Sequence, residues 1–251
     1  MSTKPLAKQV VRGANGAESA NAQDGAIRAR DSLFHWCGTA DSLQNTTDRA
    51  GKRSLLDAYF GAVAAESIGP AARWFSGVLV PRHASGDVLV PGPIIEGAIE
   101  DLTRIPADKL RSQYVKDGDL GDAAALVFAG RLPSGLSIVD VASWATTLAG
   151  ASAADAQRTL LREMLARLSA FEARYLVKLL CEQMNLGVTD ALIEEALAGA
   201  FSLPLDAVRR TNAVRGDIGE TATLARRRVL DDETSAPAVA RRANDSMPGA
   251  A

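Results

Sequence analysis

An all-α fold with an internal repeat is predicted by three features of the sequence. Alanine and leucine are abundant while aromatic residues make up only 5% of the chain, and this composition favours helices over sheets. Apolar residues return at helical spacing, most clearly in residues 160–168 and 175–180. One segment also occurs twice. The sequence therefore predicts a multi-helix domain with an internal pseudo-two-fold repeat.

Several of the predicted helices have recognisable starts. Thr47 and Asp48 precede a predicted helix that carries the apolar positions of residues 55–63. Ser137 with Asp140 resembles a shortened capping box, and Thr189 or Asp190 can cap a later helix. Three tryptophans lie on apolar faces and are expected in the core rather than on a base-stacking surface: Trp36, Trp74 and Trp144.

The flanking segments differ from this helical body. Residues 1–29 and 230–251 lack apolar periodicity, which indicates a disordered N-terminal segment and a disordered tail or linker around a helical domain at 30–229. No stretch approaches the roughly 20 apolar residues needed to span a bilayer, and no apolar leader segment follows the N-terminal lysines. Cysteine and histidine show no metal-binding spacing. We therefore expect a cytoplasmic protein with no membrane partner and no metal site.

The repeat relates residues 93–126 to residues 191–224 without gaps, at a constant offset of 98 positions. Upstream, residues 72–75 resemble residues 173–176 at an offset of 101. The identical positions of the first copy are Ile95, Glu96, Ala98, Pro106, Asp108, Arg111, Gly118, Asp119, Gly121, Ala124 and Leu126. Two such copies tend to pack about an approximate two-fold axis, and duplex DNA has a dyad as well. The alternative is duplication for stability alone.

Both copies end in the same short turn, residues 118–121 (GDLG) and 216–219 (GDIG). The aspartate is a good N-cap for the helix that follows. The second glycine lies within the first helical turn and costs about 1 kcal/mol relative to alanine, so alanine is expected to be neutral or slightly stabilising there. This cost in both copies indicates close approach by another group, and amide groups at a helix N-terminus suit a phosphate. The alternative is simple capping, with glycine required for packing.

A wider set of segments carries a family resemblance: residues 172–180 (EARYLVKLL), 185–192 (NLGVTDAL), 208–210 (VRR) and 216–220 (GDIGE). They resemble the N-terminal domain of ATP-dependent DNA ligases, and the resemblance extends weakly back to about Ser32. It implies a helical, internally two-fold domain that grips nicked duplex DNA across the minor groove. One departure is Asn185, which stands where the family usually has a basic residue.

The resemblance also implies which residues contact DNA. Phosphate contacts are expected at Gly118, Gly121, Gly216, Gly219 and Arg215. Further DNA contacts are expected at Arg174, Lys178 and Arg226. Residues 226–228 are three consecutive arginines, which the helix dipole also favours at the end of a helix.

The catalytic lysine of a ligase is missing from this sequence. Ligases form an enzyme–AMP intermediate on the lysine of a KxDG motif, and the near match Lys116-Asp117-Gly118 lacks the spacer residue. We therefore expect no catalytic residue and no cofactor in this chain. ATP and Mg²⁺ would belong to an absent catalytic domain, and the chain alone is expected to be inactive.

The expected function is DNA binding for an ATP-dependent DNA ligase, in nick sealing during DNA repair, recombination or replication. The expected partners are nicked double-stranded DNA and a separate ligase catalytic subunit, unless the gene is truncated. The alternative is a non-catalytic helical protein-interaction scaffold derived from the same domain. The net charge of −2 and Asn185 favour the scaffold, while the two retained glycine turns favour DNA binding.

Overall fold

The computed structural model describes residues 29–81, 90–117 and 119–230, and within these ranges the chain forms twelve α-helices and no strand. The helices are α1 (Leu33–Asn45), α2 (Arg49–Ala62), α3 (Ile68–Phe75), α4 (Gly92–Thr103), α5 (Ala107–Asp117), α6 (Leu120–Val127), α7 (Ile138–Gly150), α8 (Ala154–Arg167), α9 (Ala170–Leu180), α10 (Asp190–Phe201), α11 (Leu205–Arg215) and α12 (Ile218–Arg227). The predicted all-α fold is confirmed. Across the same ranges, no helix combines the length and apolar character needed to cross a membrane.

The predicted helix starts agree with the structure. The Asp48 side chain accepts a hydrogen bond from the backbone N–H of Gly51 at the start of α2. Ser137 and Asp140 form a complete capping box at α7, and Thr189 caps α10. The segments predicted to be disordered, 1–29 and 230–251, lie outside the described residues apart from Ala29 and Leu230.

An aromatic cluster occupies the centre of the core. Trp36 and Trp74 are fully buried, as predicted, and their rings meet edge to face with centroids 5.5 Å apart. Phe75 stacks on Trp36 with ring centroids 5.2 Å apart, and Tyr175 of α9 meets Trp36 edge to face with centroids 6.4 Å apart. Trp144 is only partly buried, and its indole N–H donates to the backbone carbonyl of Leu160. This cluster joins the early helices α1 and α3 to the late helix α9.

Helices from the two halves of the chain pack together in two groups. The early helices α2 and α3 pack against α10 and α12, which belong to the second copy of the repeat. The late helices α8 and α9 pack against α4 and α6, which belong to the first copy. Each group therefore contains helices from both halves of the chain, and the group of α2, α3, α10 and α12 joins segments that lie more than 100 residues apart.

The helix bounds follow the repeat of the sequence. Helices α4, α5 and α6 begin 98 residues before α10, α11 and α12, and α1 and α2 begin 105 residues before α7 and α8, with equal lengths of 13 and 14 residues. Two backbone hydrogen bonds join the segments that lead into α1 and α7. The N–H of Leu33 donates to the carbonyl oxygen of Leu136 at 2.8 Å, and the N–H of Ile138 donates to that of Asp31 at 2.8 Å. The approximate two-fold axis itself stays a prediction.

Candidate nucleic-acid interface

The second glycine turn connects α11 to α12. Gly216 ends α11 in the left-handed conformation, with φ of +66°, and open space surrounds the position that a Cβ would take. Asp217 then caps α12, since its side chain accepts a hydrogen bond from the N–H of Glu220 at 2.8 Å. Gly216 is exposed, so its own backbone is accessible to solvent.

A buried ion pair fixes Asp217 to α3. Arg73 donates through Nε at 2.9 Å and through Nη2 at 2.7 Å to the two carboxylate oxygens of Asp217. The two side chains are only 11% and 6% exposed. Burial by itself would raise the pKa of Asp217, but the hydrogen bonds and charge of Arg73, together with backbone N–H groups of α12, outweigh it and lower the pKa.

The first glycine turn has the same construction on α9, although Gly118 lies outside the described residues. Asp119 caps α6 by accepting hydrogen bonds from the N–H groups of Gly121 at 2.7 Å and Asp122 at 3.2 Å. Lys178 Nζ lies 2.7 Å from Asp119 Oδ2 and 3.4 Å from Asp122 Oδ2. The Lys178 side chain is only 1% exposed, so its charge is directed into the fold.

Each turn carries a second acidic residue with its own cation. Asp122 pairs with Arg174, which also contacts Asp41 at 3.2 Å. At the other turn, Glu220 pairs with Arg215 at 3.3 Å. Each turn therefore combines two carboxylates with two cations, one pair buried and one partly exposed.

The inner glycine of each turn lies against a neighbouring helix. A Cβ on Gly121 would be 2.5 Å from the backbone oxygen of Arg174, and a Cβ on Gly219 would be 2.5 Å from that of Gly69. Both glycines are buried. Helix packing thus gives a sufficient reason for both glycines, in agreement with the alternative interpretation of the sequence, and phosphate contact at Gly121 and Gly219 stays a prediction.

The ion pairs also define which positions of α3 and α9 are equivalent. The sequence resemblance aligned Arg73 with Arg174, at an offset of 101. In the structure Arg73 occupies the place of Lys178, and Gly69 occupies that of Arg174, at an offset of 105. The difference is about one helical turn. The offset of 101 comes from similarity of neighbouring residues in the sequence. The offset of 105 comes from the cation that pairs with each cap aspartate in the structure.

The remaining predicted contact residues differ in accessibility. Arg215 and Arg174 are partly exposed, with side-chain exposures of 36% and 27%. Arg226 lies over the ring of Phe201 at 5.4 Å. Sequence reasoning did not place Arg73 at the site, and its only signal was its position in the upstream segment that resembles 173–176.

A further cation reaches the loop in which Asn185 replaces a basic residue. The ammonium group of Lys52 on α2 donates a hydrogen bond to the carbonyl oxygen of Leu186. Gly187 is left-handed, with φ of +60°, and a Cβ there would be 2.5 Å from Lys52 Nζ. Lys52 is 134 residues away in sequence, so no local pattern could have indicated it. Within the described ranges, no cluster of His, Cys, Asp and Glu is arranged to hold a metal.

Fold and turns together correspond to a known class of domain. The family model described as "DNA ligase N terminus" matches residues 33–198. This match covers more than half of the chain, and the chain therefore belongs to the DNA ligase N-terminal domain family.

Similar proteins include a "Probable DNA ligase" of Koribacter versatilis, which is 31% identical over 189 residues, covering 74% of this chain and 33% of the relative. A "Probable DNA ligase" of Opitutus terrae is 28% identical over 235 residues, covering 80% of this chain and 23% of the relative. A "DNA ligase" of Methanocella arvoryzae is 26% identical over 196 residues, covering 74% and 34%. The chain thus spans about a quarter to a third of the length of these relatives.

Proposed function

We propose that this domain binds nicked duplex DNA and presents it to a DNA ligase catalytic domain, in nick sealing during repair, recombination or replication in the cytoplasm. Membership of the ligase N-terminal family is the observation that carries this proposal. The exposed backbone at Gly216, with Arg215 beside it, supplies a contact for phosphate at the second turn. Lys52 adds positive charge at the loop that contains Asn185.

The adenylation chemistry would be supplied from outside these 251 residues. A KxDG motif is absent from the sequence, and Lys116, in its nearest match, lies within α5. ATP and Mg²⁺ would bind a ligase catalytic domain, which is the second proposed partner besides DNA. The role of the present chain would be to hold the nicked duplex in place.

A salt titration of binding to a nicked duplex tests this proposal. Contacts with phosphates release counterions, so log K should fall linearly with log salt. Replacing Arg215 with glutamine should weaken binding and reduce the steepness of that line by about one. Binding that is undetectable at low salt, or that does not depend on salt, contradicts the proposal.

The matched control is Arg158→Gln on α8. Arg158 pairs with Asp101 at 2.8 Å, and the two side chains are 42% and 35% exposed, close to the 36% and 39% of Arg215 and Glu220. Asp101 lies near the C-terminal end of α4, whereas Gly92 at the N-terminal end lines the same cavity as Leu120 of α6. Both substitutions remove one positive charge and one surface ion pair. Only Arg215→Gln should change the salt dependence.

The second candidate function is a protein-interaction scaffold derived from the same domain. The net charge of −2 and the uncharged, exposed Asn185 favour it, because binding to a polyanion gains from a basic surface. The scaffold predicts that a nicked duplex, an intact duplex and a polyanion such as heparin all fail to bind at 50–200 mM salt. Measurable affinity for nicked DNA in this range rejects it.

A further inference from the structure

The aspartate caps of the two glycine turns would hinder the contact proposed above. Asp119 and Asp217 place a carboxylate at the N-cap of α6 and α12, where a phosphate would approach. The carboxylate and the phosphate would repel each other, because the distance across the turn is shorter than the Debye length of about 8 Å at physiological salt. A serine cap would avoid this repulsion, as at α1, α7 and α9 of the same chain.

The carboxylates of Asp119 and Asp217 are each paired with a cation on the core side of the turn. Lys178 is 1% exposed and Arg73 is 11% exposed, so both lie on the side of the turn that faces the core. Among the helices that the structure describes, the other aspartate cap is Asp48 of α2, which is exposed. Buried pairing of the cap is thus shared by the two glycine turns.

Stability alone is a weak reason for this arrangement. Replacing a buried ion pair by apolar or neutral groups of similar size is often neutral or stabilising. Asparagine caps a helix about as well as aspartate does. The ion pair nevertheless occurs at both turns, on two different helices and with two different cations.

We propose that Arg73 and Lys178 are positioning residues for DNA binding, which cancel the charge of the cap aspartates so that the two turns can approach phosphates. The inference rests on the proposed DNA-binding function. Neither side chain needs to touch DNA. Arg174, which also contacts Asp41, pairs with Asp122, and Arg215 pairs with Glu220. Every carboxylate of the two turns thus has a cation partner, which is compatible with the acidic balance of the whole chain.

The test is a double-mutant cycle at the first turn, with binding to a nicked duplex measured by fluorescence anisotropy on the full chain. Lys178→Met leaves the negative charge of Asp119 without its paired cation and should weaken binding about ten-fold or more at low salt. The double variant Asp119→Asn/Lys178→Met restores neutrality and keeps a capping side chain. Its affinity should return to within about three-fold of wild type.

Each alternative role gives a different result. If Lys178 contacts phosphate directly, the double variant stays as weak as Lys178→Met, which overturns the proposal. If Lys178 only supports the fold, the folded single variant binds like wild type, which overturns it as well. Arg158→Gln removes the same single charge at the surface and controls for the net charge.

The same experiment at the second turn tests the proposal if Lys178→Met does not fold. Arg73→Gln is compared there with Asp217→Asn/Arg73→Gln, and the hydrogen bond that Asp217 accepts from the N–H of Glu220 does not involve Arg73. Circular dichroism at the temperature of the binding assay verifies that each variant is folded. Failure of the wild type to bind nicked DNA would reject the proposed function, whereas equal binding by wild type and both single variants would reject only the present inference.

Discussion

Gly219 on α12 lies so close to Gly69 on α3 that a Cβ on Gly219 would be 2.5 Å from the carbonyl oxygen of Gly69. Gly121 on α6 has the same relationship to Arg174 on α9, again at 2.5 Å. A distance below 3.0 Å to backbone cannot be accommodated by a rotamer change. The two helices that follow the glycine turns therefore depend on glycine to reach their partners.

Alanine at either position should destabilise the domain. The expectation from the sequence, that alanine in a first helical turn is neutral or slightly stabilising, holds only where the added methyl has space. Gly219→Ala and Gly121→Ala should each lower the free energy of unfolding by about 1–3 kcal/mol, the usual cost of overpacking. Urea denaturation monitored by circular dichroism measures this change.

Gly38 provides the control for that prediction. It lies in the middle of α1 with no atom within 4 Å of the position of a Cβ. Gly38→Ala should leave the stability unchanged or raise it by up to about 1 kcal/mol, because alanine has the higher helix propensity. Equal effects at Gly38 and Gly219 would contradict the packing explanation.

Cleaving the chain between the two copies of the repeat should leave the halves associated. Leu132 lies in the connection from α6 to α7 and is 84% exposed, so a protease site inserted after it is accessible. The halves should co-elute in gel filtration under native conditions, because α2 and α3 pack on α10 and α12 while α8 and α9 pack on α4 and α6. They should separate in urea. Separate elution without denaturant would show that the exchanged packing does not hold the halves together.

The ion pair at the second turn should make the stability of the domain depend on pH in the acidic range. The pKa of Asp217 is lowered in the folded state, against an unfolded value of about 3.9. Its stabilisation is therefore complete above that value and is lost as the pH falls through the folded pKa. Asp217→Asn should melt at a lower temperature than wild type at pH 7, and the difference should shrink below about pH 4. A difference that stays constant from pH 7 to pH 2 would contradict this assignment.

The chain by itself should not form an adenylate. Incubation with radiolabelled ATP and Mg²⁺ should leave it unlabelled, because the lysine of the KxDG motif is absent from the sequence. Lys116→Ala should behave identically, and an active ligase in the same assay verifies the reagents. A covalent AMP adduct on Lys116 would require a different assignment of the site.

The local structure of this protein follows from its amino-acid sequence. Helical periodicity and the capping candidates at residues 47–48, 137–140 and 189–190 indicate the elements, because capping and propensity act over a few residues. The 98-residue repeat also indicated that the turns at 118–121 and 216–219 are paired. The family resemblance followed from strings within this same region.

The pairing of helices in the core became visible in the three-dimensional structure. An apolar face shows that a helix is buried, but it does not specify the partner, since burial of apolar area is non-directional. The exchange of helices between the two parts of the chain, the cations beneath Asp119 and Asp217, and the contact of Gly219 with Gly69 all join residues more than 50 positions apart. These relationships arise from the shapes of packed side chains, and no periodicity of the sequence encodes them.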